Sequence, residues 1–190
     1  MKIIHLTAES EMLGVAVHRI EEWDTVSDFE RAEKTLTHNS KSYLFGEVEA
    51  TDLPNIMLLE KLGYHFSEFR VHSSLDLTKQ ETHIFSSFPF QAFWLGDEEE
   101  LENCLQLLEG FSLDDRYSND PELDATRAIE RAKQHLIKSF HAYPKEFIIG
   151  IRNQQQGELV AFRSGRFVTG TEVQYFQHAC KRDLNSDHIN

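Results

Sequence analysis

The sequence predicts an α/β (α+β) protein, with a mixed, mostly antiparallel sheet flanked by helices and preceded by a smaller α/β region. Three observations predict it. Apolar residues make up 40% of 190 residues and Phe alone occurs 14 times, a core-forming composition that disordered chains lack. Strand-like and helix-like periods alternate through the first half. The last third consists of short apolar runs separated by turn residues, the mark of antiparallel hairpins.

The elements follow in order. Gly14 to Glu21 reads as a strand through Val15, Val17 and Ile20. Ser27 with Glu30 reads as a capping box that opens a helix to about Leu36. Tyr43, Phe45 and Val48 mark a strand over Ser42 to Ala50, with an irregularity at Gly46. Thr51 or Asp52 caps the next helix, Pro54 suits its first turn, and Gly63 stops it. Tyr64 to Leu77 reads as a further strand, and the polar stretch Thr78 to Ser87 as a boundary. The division expected is therefore an amino-terminal α/β region at 1–78, a linker at 79–88 and a second region at 89–190.

In that second region Phe90 to Leu95 reads as an aromatic-rich strand. Asp97 caps a helix, and the three Glu residues after it fill the first turn, where the helix dipole favours negative charge. Leu101, Cys104, Leu105 and Leu108 form its apolar stripe, and Gly110 ends it. A polar loop runs from Phe111 to Leu123. Ala125, Ile129, Ala132, Leu136 and Phe140 then share one face of a helix that reaches His141. Glu146 to Ile151 is nearly all apolar and reads as a central strand. Asn153 to Gly157 is a turn, Glu158 to Arg163 a strand, and Ser164-Gly165 a second turn. The third strand runs from Arg166 to about His178, with one of Tyr175 and Phe176 expected in the core.

Composition also excludes classes of function. A net charge of −13 disfavours nucleic-acid and anionic-membrane partners, because phosphates repel it. No apolar run is long enough for a membrane span, and the first six residues do not read as a signal peptide, so a cytoplasmic location is expected. The two cysteines, Cys104 and Cys180, read as reduced thiols, Cys104 on an apolar helix face. His178, Cys180 and His188 match no common zinc spacing, and no metal is expected.

The order strand, helix, loop, helix and three antiparallel strands over residues 90–178, with the Leu58–His65 stretch (LLEKLGYH) and Leu13-Gly14-Val15, resembles the GNAT superfamily, its sugar-nucleotide N-acetyltransferases above all. The resemblance makes residues 89–190 the front half of a GNAT-like domain. It implies transfer of an acetyl group from acetyl-CoA, as co-substrate, to an amine on a nucleotide-linked aminosugar. It assigns acceptor contact to Asp115, Arg116 and Tyr117 in the loop between the helices, which also fit a solvated loop with Asp120 capping the next helix. Glu172 would accept the amine proton, while Gln174, Phe176, Arg182, Asn185 and Ser186 would face the cofactor. Glu172 and Gln174 equally fit the solvent side of a half-buried sheet.

The sequence departs from the family at two places. Where the family's pyrophosphate loop wants small residues, Asn185 and Asp187 stand, and Asp187 adds negative charge. The resemblance also stops at Asn190, about where the cofactor-binding helix should begin. Residues 43–77 offer a strand, a helix and a strand as a substitute back half; otherwise the last strand keeps an open edge that favours a homodimer. The alternative function is therefore a catalytically inactive GNAT-like module that binds a ligand or a protein.

Overall fold

The computed structural model describes residues 1–36, 41–68, 89–109, 115–118, 120–170 and 172–181. It is an α+β protein, and contacts group it into two units. The first comprises Met1–Glu68 with Asp115–Arg131, the second Phe69–Asp114 with Ala132–Asn190. Residues 115–131 thus belong with the amino-terminal part. The expected linker at 79–88 lies outside the described residues.

The first unit opens with β1 (Lys2–His5), α1 (Thr7–Leu13) and β2 (Ala16–Glu22). Gly14 ends α1 with φ of +69°, a left-handed position that glycine takes without steric cost. α2 (Ser27–Leu36) then crosses to β3 (Ser42–Gly46), and α3 (Leu53–Lys61) follows. β1 pairs antiparallel with β2, and β2 pairs parallel with β3 across α2. Val17 on one face of β2 packs with Leu13, Tyr117 and Ala128. Ile20 on the other packs with Phe29, Ala32 and Leu59. Alternation along one strand therefore feeds two cores.

The entry to α2 is not the expected capping box. Ser27 bonds the Thr25 hydroxyl at 2.8 Å. The Asp28 carboxylate instead takes the amides of Asp24 and Thr25 at 2.9 and 3.3 Å, which hold its carboxyl below the usual range. Asp52 does cap α3, accepting the Asn55 amide at 3.4 Å. The strand expected over Tyr64 to Leu77 is not formed at 64–68, and the rest of that span lies outside the described residues.

The second unit holds β4 (Phe90–Trp94), α4 (Glu98–Glu109), the later part of α5 (Ala125–His141), β5 (Glu146–Asn153), β6 (Leu159–Phe167) and β7 (Val173–Cys180). Its four strands form one antiparallel sheet in chain order, β4-β5-β6-β7. α4 packs against β6 and β7. Glu100 of α4 reaches Arg152, and Ser139 of α5 reaches Glu146, both on the same sheet face as the buried Ile148 and Phe162. Cys104 is fully buried in this unit, and burial pushes its thiol up to about 12.

Two expectations are corrected here. Ser164-Gly165 is no turn but the interior of β6, and the reversal comes at 168–172, so β7 begins at Val173. Gly165 is in the strand because of room: a Cβ there would stand 2.9 Å from the Phe147 ring and 2.8 Å from the Gln174 carbonyl. Neither Tyr175 nor Phe176 enters the core; they are 49% and 41% exposed. β7 is the last strand of its sheet, and its register slips between the Gly165↔Tyr175 and Arg163↔His178 pairs.

Candidate functional site

Residues 115–118 form a tight turn ahead of α5. The Asp115 carboxylate accepts the amides of Tyr117 and Ser118 at 3.0 and 2.8 Å. Its second oxygen pairs with Arg131. Arg116 pairs with Glu68, its amide donates to the same carboxylate at 3.3 Å, and its guanidinium lies 4.1 Å from the centre of the Phe45 ring. Tyr117 is buried, with the Arg131 guanidinium 4.4 Å above its ring and Tyr43 5.6 Å away. Burial raises the phenol of Tyr117, although Arg116 and Arg131 oppose the shift. Tyr43, raised for the same first reason, donates to the Arg116 carbonyl at 3.4 Å. The structure thus brings Asp115, Arg116 and Tyr117 together, with each side chain engaged inside its own unit. Both phenols hold their protons firmly, which suits packing better than acid catalysis.

The other predicted residues lie on and before β7. Glu172 is exposed, and its carbonyl accepts the amides of Val168 and Thr169 at 2.9 and 3.3 Å, closing the β6–β7 turn. Gln174 is exposed and accepts from Arg166 Nε at 3.0 Å. The same guanidinium sits 5.6 Å from the Phe176 ring. Arg182, Asn185 and Ser186 lie outside the described residues. Among the described residues no cluster of three or more metal-ligating side chains occurs.

Sequence reading missed one feature of the first unit. His5 and His18 stand opposite each other across β1 and β2, with ring centres 5.0 Å apart. His5 Nε2 is 3.0 Å from Ser10 Oγ, beside a hollow of about 470 Å3 lined by His5, Thr7, Ser10, Glu11 and Lys41. This resembles a base beside a nucleophile, yet the hydrogen bonds forbid that role. Ser10 donates its one proton to the Leu6 carbonyl at 2.7 Å and accepts the Val17 amide at 2.8 Å, so His5 can only donate to it. Only the strand register reveals the pair, since the two histidines are 13 residues apart in sequence.

The chain is thus an α+β protein with one three-stranded mixed sheet and one four-stranded antiparallel sheet. No family model matches its sequence, and no curated protein does. Among the described residues no helix is long and apolar enough to cross a membrane.

Proposed function

We propose that the protein is an N-acetyltransferase of the GNAT type, working in the cytoplasm and moving the acetyl group of acetyl-CoA to an amine on a nucleotide-linked aminosugar. The observation that carries this reading is the second unit's topology: four antiparallel strands in chain order, with two helices between the first strand and the second. The reading needs a neutral amine to attack the thioester carbon. The nitrogen–carbon bond forms, the carbon–sulfur bond breaks, and the amine proton passes to a base. Glu172 fits the base's role in being a solvent-reachable carboxylate at the head of β7. The exposed Gln174 and Phe176 follow it on the strand and are open to the co-substrate.

Calorimetry with acetyl-CoA tests the reading. Micromolar binding, at least ten-fold tighter than AMP, is expected, and Glu172→Gln should slow acetyl transfer about 100-fold or more while leaving that binding unchanged. No heat at millimolar acetyl-CoA removes it.

One observation favours a second reading, a catalytically inactive, homodimeric module that binds a ligand or a protein. Arg116 is held by Glu68 and Phe45, and Tyr117 is part of a core. Neither can touch an acceptor without giving up those contacts.

A further inference from the structure

The sheet of the second unit has two unlike faces. One carries Ile148, Phe162 and Ser164, all buried on the side that α4 and α5 reach. On the other, cross-strand pairing aligns Trp94 with Ile149 and Arg163, and Phe147 with Gly165 and Tyr175. Phe147 is buried at the centre of this second face. Trp94 meets it at 5.3 Å, Phe167 at 4.9 Å and Tyr175 at 6.3 Å. Those three outer rings are 55%, 51% and 49% exposed, so half of each aromatic surface meets water. Gly165 keeps the middle flat, since any side chain there would collide with the Phe147 ring.

The charge on this face is equally specific. Arg163 lies exposed with its guanidinium 4.1 Å over the Tyr175 ring. Among the described residues it has neither an ion pair nor a hydrogen bond, whereas Arg19, Arg31, Arg116, Arg131 and Arg152 are each paired with a carboxylate. Arg127 and Arg166 also lack a carboxylate among the described residues, but Arg166 donates to Gln174 instead. No strand position on this face is Asp or Glu; Glu146, next to Phe147 in β5, belongs to the opposite face. Exposed rings favour a flat π-system, and a free guanidinium beside them favours an anion.

We propose that this open face of the β4–β7 sheet binds a mononucleotide, its base stacked on the exposed rings of Trp94 and Phe167 and its phosphate held by Arg163, whose guanidinium rests on Tyr175. A polynucleotide fits less well, because a chain of net charge −13 repels successive phosphates while tolerating one. A second copy fits less well too, since it brings the same negative charge to the face. The site does not depend on acetyl transfer and stands or falls separately.

The molecule has two tryptophans, so Trp23→Phe leaves Trp94 as the single emitter on the platform. AMP titrated into this variant should change Trp94 emission saturably, with adenosine about ten-fold weaker and inorganic phosphate without effect. Arg163→Gln should bring AMP to the affinity of adenosine, and Phe167→Ala should weaken both ligands, with far-UV circular dichroism unchanged in each. Arg163→Lys keeps the charge and should recover part of the AMP affinity. The proposal is overturned by an absent response at millimolar AMP, by phosphate binding as well as AMP, or by a single-stranded oligonucleotide binding more tightly. Dimerisation that buries Trp94 and excludes AMP overturns it as well.

Discussion

At the scale of single residues, space and proton affinity decide the outcome. The closest obstacle to a side chain at Gly165 is a backbone carbonyl, at 2.8 Å, which cannot swing aside as a ring can. Gly165→Ala should therefore lower the stability of the second unit by about 1–3 kcal/mol. Urea denaturation followed by Trp94 emission reads this directly, and an unmoved midpoint would show that β6 can shift at no cost. His18 supplies a pH test in the first unit. Burial, then the facing His5, lowers its affinity for a proton below that of an unfolded chain, whose histidine titrates near pH 6.5. The unfolded state thus takes up the proton first. The stabilisation is complete above pH 6.5 and declines as pH falls through the lowered folded value. Changing His18 to Gln should flatten that acid-side slope in the Trp23-detected midpoint; a slope that persists unchanged would assign it to other groups.

At the scale of elements, short-range chemistry was legible and long-range pairing was not. The α4 cap shows the first. Asp97 Oδ1 accepts the Glu100 amide at 2.9 Å, and Glu100 reaches back to the Gly96 amide at 3.0 Å. Both donors are satisfied within four residues, so the sequence reveals the arrangement. Asp97→Ala should cost about 1 kcal/mol, read as a lower thermal midpoint, and Asp97→Asn should keep most of the original stability. α3 and α5 were read the same way, from Asp52 and from spacing. β1 and α1, at 4 and 7 residues, are too short to show a period, and their place comes from pairing with β2. Ser164-Gly165 misled because Ser-Gly marks turns when only neighbours are considered. The groups that demand the glycine are distant in sequence: the Phe147 ring lies 18 positions earlier and the Gln174 carbonyl nine positions later. Asp115, Arg116 and Tyr117 were found as a group, but the group's purpose was hidden, because Glu68 lies 48 positions from Arg116. The aromatic platform was invisible for a like reason. Trp94, Phe147, Phe167 and Tyr175 share a face only once three strand registers are known.

At the scale of the whole molecule, one helix belongs to both units. Residues of α5 up to Arg131 group with the first unit and those from Ala132 with the second. Each unit also carries one tryptophan: Trp23 packs edge-on to Phe29 in the first, and Trp94 lies beside Phe147 in the second. Single-tryptophan variants therefore report the two units separately. A proline at position 132 removes the amide that bonds the Ala128 carbonyl and forces its ring against that carbonyl, at a cost of about 3 kcal/mol or more. Ala128 is fully buried in the first unit's core, and Ala132 is fully buried in the second. The damage falls on both sides of the division, so Ala132→Pro should lower the Trp23 and the Trp94 midpoints together. Leu136→Ala, one turn further on, removes a fully buried side chain from the second unit alone and should cost about 2–5 kcal/mol in the Trp94 signal. Its effect on Trp23 measures how far the helix transmits that loss. If Ala132→Pro leaves the Trp23 midpoint in place, residues 115–131 hold their fold without the rest of α5, and the two units are thermodynamically separate despite the shared helix.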